Sequence, residues 1–216
     1  MSFSMICIQL LKGLGSTCLI FALTLLLSLP LGLLVCFGRM SRFKPLQYVV
    51  RFFISILRGT PLMLQLIVVC FAPFYVFGMK LTSSWTFAAL IIGFVINYAA
   101  YFAEIYRGGI ASMPRGQYEA AQVLGYSRAQ TFAHIILPQV VKRVLPSVTN
   151  EVITLVKDTS LAFVLSVTEM FTIAKAIAAA EKTMIPYLAA GIFYYVFNFV
   201  VAMLMERLEH RLNYYR

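Results

Sequence analysis

The amino-acid sequence predicts an all-α membrane protein of about five transmembrane helices with a helical insert on its cytoplasmic side. Three observations predict this fold class: the composition, the hydrophobic runs and the placement of the basic residues. Of 216 residues, 61% are hydrophobic and only 12% are charged, and the mean hydropathy is +0.86. A soluble domain carries about 25% charged residues, so this chain cannot cover a globular surface with polar groups. The composition therefore favours the bilayer as the solvent over an unusually apolar soluble bundle.

Hydrophobic runs of a length that crosses a bilayer occur five times along the chain. About 20 apolar residues cross the hydrocarbon core, and the predicted spans are 14–37, 52–77, 85–106, 145–167 and 186–205. Together they form one transmembrane domain over residues 1–216. Between the last two spans, residues 170–185 predict a short external helix. This helix lies in the membrane interface or, in the interpretation that we favour, serves packing.

Basic residues are unequally divided between the loops on the two sides of these spans. One set of alternate loops holds twelve Lys and Arg residues and the other set holds four. Cytoplasmic loops carry the excess of Lys and Arg, so the N-terminus is predicted outside and the C-terminus in the cytoplasm. The twelve are Arg39, Arg42, Lys44, Arg51, Arg107, Arg115, Arg128, Lys142, Arg143, Arg207, Arg211 and Arg216, and the four are Lys12, Lys80, Lys175 and Lys182. The net charge of +10 thus reflects topology, and no basic cluster interleaved with aromatic residues indicates nucleic-acid binding.

Metal, nucleotide and hydrolytic sites are not indicated. The four cysteines have neither CxxC spacing nor histidine partners, so no metal site is predicted. No GxxxxGK[ST] motif occurs, so this chain cannot hydrolyse ATP by the P-loop route. His134 and His210 belong to no Ser/His/acid arrangement and are interpreted as surface residues. We therefore expect a protein that is not an enzyme and binds no cofactor of its own.

A polar, helix-prone insert at residues 114–138 interrupts the apolar chain on the predicted cytoplasmic side. Gly125 suits the left-handed residue that ends a helix, and Ser127 with Gln130 fits a capping box at the start of the next helix. The insert therefore predicts two short helices that meet at a glycine corner. The Ala120-Ala121 pair leaves one face smooth enough for the close approach of another surface. Such an insert is either a docking element or a solvated connecting loop.

Four sequence blocks resemble the permease subunits of binding-protein-dependent ABC importers, in the branch for polar amino acids such as histidine, glutamine, arginine and cystine. The insert reproduces the EAA motif of that family, E-A-A-x3-G-x9-I-x-L-P, at Glu119, Ala120, Ala121, Gly125, Ile135, Leu137 and Pro138. The other three blocks are Arg58-Gly59-Thr60-Pro61-Leu62 with Gln65, Ala103-Glu104-Ile105 with Arg107-Gly108-Gly109-Ile110, and Asn150-Glu151 with residues 155–161. The blocks follow the family's order, and the number and orientation of the predicted spans agree with it.

This resemblance implies a subunit of a type I ABC importer with the MetI-like fold, in the bacterial inner membrane. The EAA residues would couple it to a cytoplasmic ATPase, since the EAA helices of the family dock into a groove on that subunit. The implied partners are two ATPase subunits, which bind ATP and Mg, an extracytoplasmic solute-binding protein and a second membrane subunit, with a homodimer favoured over a heterodimer. The complex would carry polar L-amino acids inward. The alternative is an ATP-independent secondary transporter or channel for amino acids, which leaves the insert unexplained.

The second predicted span contains an arginine followed by a break. An ionisable side chain within the bilayer costs about 2.5–3.5 kcal/mol on insertion scales and is functional by default. After Arg58, Thr60 can cap and Pro61 can begin a new half-helix, whose N-terminal end would suit an anionic group such as a carboxylate. Alternatively, Arg58 extends to the cytoplasmic side of the membrane.

Two polar stripes lie on the third and fourth predicted spans. Helical spacing places Asn97, Tyr101 and Glu104 on one face, and Glu151, Thr154 and Asp158 on another. The stripes line a shared cavity or serve as polar contacts between helices, and Lys157 with Asp158 could be an internally neutralised pair. The resemblance implies the cavity, and the implied substrate-binding residues are Asn97, Lys157, Asp158, Thr159, Tyr101, Arg58, Thr60 and Glu104. Glu104 could instead lie near the cytoplasmic gate.

Overall fold

The computed structural model describes residues 1–212 and contains only helices and their connections in that part of the chain. Arg216, one of the basic residues assigned to the cytoplasm, lies outside the described residues. The α-helices are α1 (Phe3–Arg39), α2 (Lys44–Gly59), α3 (Leu62–Phe77), α4 (Ser83–Ala111), α5 (Arg115–Val123), α6 (Arg128–Gln130), α7 (Leu137–Asp158), α8 (Met170–Glu181) and α9 (Ile185–Leu212). A π-helix (Thr131–Ile136) joins α6 to α7, and a 3-10 helix (Thr159–Leu165) follows α7.

The described helices provide five membrane-spanning units when each bent pair counts as one. α1, α4 and α9 are each long and apolar enough to cross a membrane alone. The other two units are α2 with α3, bent by 113°, and residues 128–165 with α8, bent by 57°. The prediction of an all-α membrane protein with about five spans is confirmed. The break in the second span was predicted from its sequence, whereas the change of helix type in the fourth was not.

Helix α1 begins at Phe3, well before the predicted start at residue 14. Ile6 and Leu10 are buried against α8 and α9, while Lys12 is exposed. Mean hydropathy averages over all faces of a helix. Lys12 and the polar residues before it lower this average, so it does not show the apolar stripe that packs inside the protein. Farther along α1, glycines permit close approach: a Cβ added at Gly32 would lie 2.8 Å from Phe102 Cβ on α4.

Helix α4 lies at the centre of the fold, since most of its apolar length is buried whereas α1 and α9 expose most of theirs. Phe94, Tyr98 and Phe102 form one face of α4 and are almost completely buried. They pack in a single hydrophobic core with apolar residues of α1, α3 and α7. This packing fixes the backbone of α4, and with it the positions from which the side chains on its other faces project.

The break between α2 and α3 follows from the Thr60-Pro61 sequence. A residue before proline is disfavoured in the α region, and Thr60 is extended at φ −123° and ψ 150°. The Thr60 hydroxyl donates to the Ile56 carbonyl at 2.8 Å and so closes the end of α2. Pro61 occupies the N-cap position of α3. The prediction that Thr60 caps α3 is therefore wrong, although the break itself is present.

The insert forms the predicted glycine corner. Gly125 adopts φ +79°, and the Tyr126 and Gly125 N–H groups bond to the Ala121 and Gln122 carbonyls at 3.0 and 3.1 Å. This is a Schellman ending of α5. Ser127 and the Gln130 side chain form the predicted capping box. The prediction of two short helices is wrong for the second one, because α6 continues through the π-helix into α7.

Pro138 explains the π-helix at this junction. Proline has no N–H to donate, and its ring clashes with the carbonyl four residues earlier in an α-helix. The chain widens just before it, and the Leu137 N–H bonds to the Phe132 carbonyl, five residues back. Gln139 Nε2 then donates to the Ile135 carbonyl at 2.7 Å. The insert is thus joined to α7 by a helical segment of unusual geometry.

Candidate functional site

Two amide side chains join the break between α2 and α3 to the central helix α4. Gln65 Nε2 donates to the Leu57 carbonyl at 2.8 Å and to the Thr60 hydroxyl at 2.9 Å. Gln65 Oε1 accepts from Asn97 Nδ2 at 2.9 Å, and Asn97 Nδ2 also lies 3.3 Å from the Leu57 carbonyl. Asn97 is only 4% exposed. Its amide nitrogen therefore holds the broken helix, and its carbonyl oxygen accepts no hydrogen bond within residues 1–212.

Asp158, at the end of α7, contacts a tyrosine of α4. The Tyr98 hydroxyl donates to Asp158 Oδ2 at 2.7 Å. Lys157 has an exposed side chain and forms no ion pair within residues 1–212. Successive residues of an α-helix point about 100° apart, so Lys157 and Asp158 face different directions. Lys157 still acts on Asp158 through its charge, whereas the hydrogen-bond partner of Asp158 is Tyr98.

Arg58 lies at the end of α2, against the aromatic ring of Tyr101 on α4. Its guanidinium carbon is 5.1 Å from the ring centroid, a distance typical of cation–π attraction. The Tyr101 ring is in turn 6.4 Å from the ring of Tyr98. Arg58 also interacts electrostatically with Glu151 of α7. A cation from α2 and carboxylates from α7 therefore approach the same face of α4.

Glu104 belongs to an ionic group that begins about one helical turn beyond Tyr101 on α4, and Arg58 also acts on it through its charge. Its carboxylate lies 2.7 Å from an Arg107 nitrogen and 3.3 Å from Arg39 Nε. Arg39 ends α1, and both arginines belong to the set assigned to the cytoplasmic side. The structure therefore places Glu104 with the residues of a predicted cytoplasmic gate, which is the alternative that the sequence left open.

Two threonines of the predicted set donate their hydroxyl groups to carbonyls of the helices that they end. Thr159 is fully buried and its hydroxyl donates to the Val156 carbonyl at 2.7 Å, while that of Thr60 closes α2. The other predicted residues apart from Lys157 and Glu104, together with Gln65 and Tyr98, surround one face of α4, and we name this group the α4 polar cluster. Its members are Arg58, Gln65, Asn97, Tyr98, Tyr101 and Asp158.

Tyr98 and Gln65 are members of this cluster that the sequence analysis did not assign to it. Tyr98 follows Asn97 directly and lies on the same face as Phe94 and Phe102, with ring centroids 6.5 and 6.2 Å away. Its position therefore indicates core packing. The available signal was the hydroxyl itself, because a buried tyrosine usually finds a hydrogen-bond partner. Gln65 was noted beside the break but was given no role.

A second buried polar group, around Glu169, was missed entirely. Glu169 is 0% exposed and caps the start of α8. Its carboxylate accepts from the Phe171 and Thr172 N–H groups at 2.7 and 2.6 Å, and from the Tyr194 hydroxyl at 2.9 Å. Thr17 of α1 lies 3.5 Å away. This group joins α1, α8 and α9, and an acidic residue directly before an apolar helical run was the signal for it.

The surface of the insert differs from the one predicted. Ala121 is only 1% exposed and packs within its own chain, so the prediction that it belongs to a smooth docking face is wrong. The exposed apolar side chains lie at the corner, where Val123 is 88% and Leu124 is 73% exposed. Apolar side chains presented in this way are typical of a protein–protein contact. Glu119, Ala120 and Pro138 are exposed, Leu137 is 39% exposed and Ile135 is half-buried.

An apolar groove of about 450 Å³ lies between α1, α4, the π-helix and α7. Its walls include Leu33, Phe132, Val141 and Val148. Among the lining residues, only Tyr106 carries a side-chain hydroxyl. A groove with so few polar groups does not suit a charged or zwitterionic ligand. The α4 polar cluster is therefore the better candidate site for such a ligand.

Comparison with known proteins relates the chain to membrane transport. Residues 28–214 match the family described as binding-protein-dependent transport system inner membrane component. The chain is 34% identical over 195 residues to the L-cystine transport system permease protein TcyB of Bacillus subtilis (strain 168), covering 89% of this chain and 82% of that protein. It is 32% identical over 205 residues to the arginine transport system permease protein ArtQ of the same organism, covering 94% of this chain and 92% of that protein. A crystal structure of an amino acid ABC transporter with histidines superposes with a TM-score of 0.86 at 30% identity, over 94% of both chains.

Proposed function

Because the chain belongs to the family of binding-protein-dependent transport system inner membrane components, we propose that it is the membrane permease subunit of an ATP-driven importer of polar L-amino acids. The relatives named for cystine and arginine transport support this substrate class. The chain itself provides the path through the membrane, and ATP hydrolysis belongs to partner subunits.

The observation that carries the proposal is the corner of the insert. A Schellman ending and a capping box hold Val123 and Leu124 outward from a helix that continues into α7. A soluble partner that pushes on this corner acts along one helical path on Asp158, at the far end of α7. An ATP-independent transporter does not require a cytoplasmic docking element that is joined to a membrane helix. The insert is thus a docking element for a cytoplasmic ATPase, of which two copies serve the complex.

The α4 polar cluster provides complementary ends for a zwitterion. Asp158 and the Asn97 carbonyl oxygen face the ammonium group, whereas Arg58 and the first N–H groups of α3 face the carboxylate. Lys157 lies outside the cluster and adds positive charge beside it. Charge-assisted hydrogen bonds at both ends discriminate amino acids from apolar compounds. Thr159 and Glu104 have no direct part in this arrangement, because their polar atoms are engaged elsewhere.

A second membrane subunit covers the face that carries the exposed charges. Arg58 and Lys157 are exposed in the single chain, and uncovered cations inside a bilayer are costly. Pairing two such faces creates a polar path between subunits, with a second copy of this chain as the favoured partner. The N-terminus lies outside, where a solute-binding protein delivers the substrate. The corner of the insert lies in the cytoplasm of a bacterial cell.

The experiment that tests the coupling role replaces Gly125 by valine. A β-branched residue is strongly disfavoured at φ +79°, so the corner should change shape while the spans remain intact. Gly78→Val is the matched control, since Gly78 also has a positive φ of 65° and open space but lies at the end of α3. We expect Gly125→Val to lose substrate-stimulated ATP hydrolysis or the ATPase itself, and Gly78→Val to keep both. Normal stimulation and transport by Gly125→Val would contradict the docking role.

A further inference from the structure

We propose that Tyr98 is a positioning residue for Asp158, holding one carboxylate oxygen so that the other receives the ammonium group of the transported amino acid. The inference rests on the proposed function and names a residue that acts through Asp158. Its basis is the 2.7 Å hydrogen bond from the Tyr98 hydroxyl to Asp158 Oδ2.

Tyr98 is a rigid donor. Its ring is buried and lies between Phe94 and Phe102, with centroids 6.5 and 6.2 Å away, and it also contacts the Tyr101 ring at 6.4 Å. Such packing fixes both the position and the tilt of the phenol. The hydroxyl therefore occupies one place, and a carboxylate that accepts from it is fixed as well.

Asp158 needs such a partner because it lies where α7 changes into the 3-10 helix. No other hydrogen bond to its carboxylate occurs within residues 1–212. A half-buried carboxylate without a hydrogen-bond donor would rotate between several orientations, each of which places its two oxygens differently. A carboxylate oxygen can accept more than one hydrogen bond, but Oδ1 accepts none within residues 1–212 and is therefore the more open acceptor. With Oδ2 occupied by Tyr98, Oδ1 is the acceptor for the substrate.

The test is a double-mutant cycle of Tyr98→Phe and Asp158→Asn in the complete complex reconstituted in proteoliposomes. Tyr98→Phe removes only the hydroxyl and keeps the ring that packs in the core. The probes are radiolabelled L-arginine, L-glutamine and L-cystine, and the readout is uptake per ATP hydrolysed. Tyr106→Phe is the matched control, because it makes the same change on the same helix at a hydroxyl 3.5 Å from the Leu29 carbonyl.

We expect Tyr98→Phe to lower uptake per ATP about tenfold, the effect of losing one hydrogen bond to a charged group. The double variant should be no worse than Asp158→Asn alone, whereas Tyr106→Phe should stay within twofold of the wild-type protein. Wild-type uptake by Tyr98→Phe, or losses that multiply in the double variant, would overturn the positioning role. If the unmodified complex takes up none of the three probes, the proposed function fails instead, so the two failures are distinguishable.

Discussion

Replacing Glu169 by alanine should destabilise the joint between α1, α8 and α9. The carboxylate caps α8 through the Phe171 and Thr172 N–H groups at 2.7 and 2.6 Å, and it is completely buried. No basic side chain within residues 1–212 forms an ion pair with it. Its stabilising effect therefore comes from the hydrogen bonds that it accepts.

The expected loss can be worked from these contacts. Losing a helix N-cap costs about 1 kcal/mol, and each buried donor left without an acceptor adds about 1–3 kcal/mol. The Tyr194 hydroxyl, 2.9 Å from Glu169 Oε2, loses this acceptor as well, although Thr17 and Thr159 remain beside it. Part of the loss is offset because a buried carboxylate no longer has to be desolvated. We expect Glu169→Ala to lower the free energy of unfolding by about 3 kcal/mol.

Glu169→Gln should lose roughly half as much, because its amide oxygen still accepts one N–H group while its amide nitrogen accepts none. The measurement is reversible unfolding of the purified chain in mixed micelles of increasing SDS fraction, followed by circular dichroism. Glu181→Ala is the control on the same helix, since Glu181 is an exposed partner of the N-terminal amine and should cost less than about 1 kcal/mol. A stability of Glu169→Ala within about 0.5 kcal/mol of the wild-type protein would refute this reasoning.

Two further predictions concern topology and packing. In a cysteine-free background, a cysteine at Ser127 should resist membrane-impermeant thiol reagents in intact cells while one at Ser83 is labelled, and the reverse pattern would contradict the orientation. Gly32→Val should lower the free energy of unfolding by about 1–3 kcal/mol, because its Cβ would lie 2.8 Å from Phe102 Cβ and 3.1 Å from the Ala99 carbonyl oxygen. Gly15→Val on the same helix meets no atom within 4 Å and serves as the control, so equal losses in the same unfolding assay would exclude close packing as the cause.

Local sequence signals predicted the features that depend on backbone chemistry. Proline after Thr60 disfavours the α region, so the break in the second span could be placed to within a residue or two. Gly125 and the Ser127 capping box likewise define the corner, because few other residues satisfy a left-handed ending or a reciprocal cap. The five spans follow from hydrophobic length, although their ends do not, since α1 starts with residues that pack inside rather than against lipid.

Side-chain partners across helices could not be predicted in the same way. Lys157 and Asp158 are neighbours in the sequence, yet Asp158 bonds to Tyr98, sixty residues away. Helical spacing places Asn97 on one face of α4 with Tyr101 and Glu104, but it does not predict that the Asn97 amide nitrogen bonds to the broken helix. Glu169 follows a tight turn at Ser166, which has a positive φ of 56°, and that turn brings it to α1 and α9. These pairings depend on how the helices cross, which the pattern along a single helix does not specify.

In the proposed function, the corner of the insert couples ATP hydrolysis in the cytoplasm to inward movement of an amino acid. The most direct test is uptake by proteoliposomes that contain the permease with its ATPase, with the solute-binding protein and radiolabelled L-arginine, L-glutamine or L-cystine outside. We predict accumulation of at least one probe above its external concentration when ATP is enclosed, and none when ATP is replaced by a non-hydrolysable analogue. Equal uptake without ATP would contradict the claim and indicate an ATP-independent transporter.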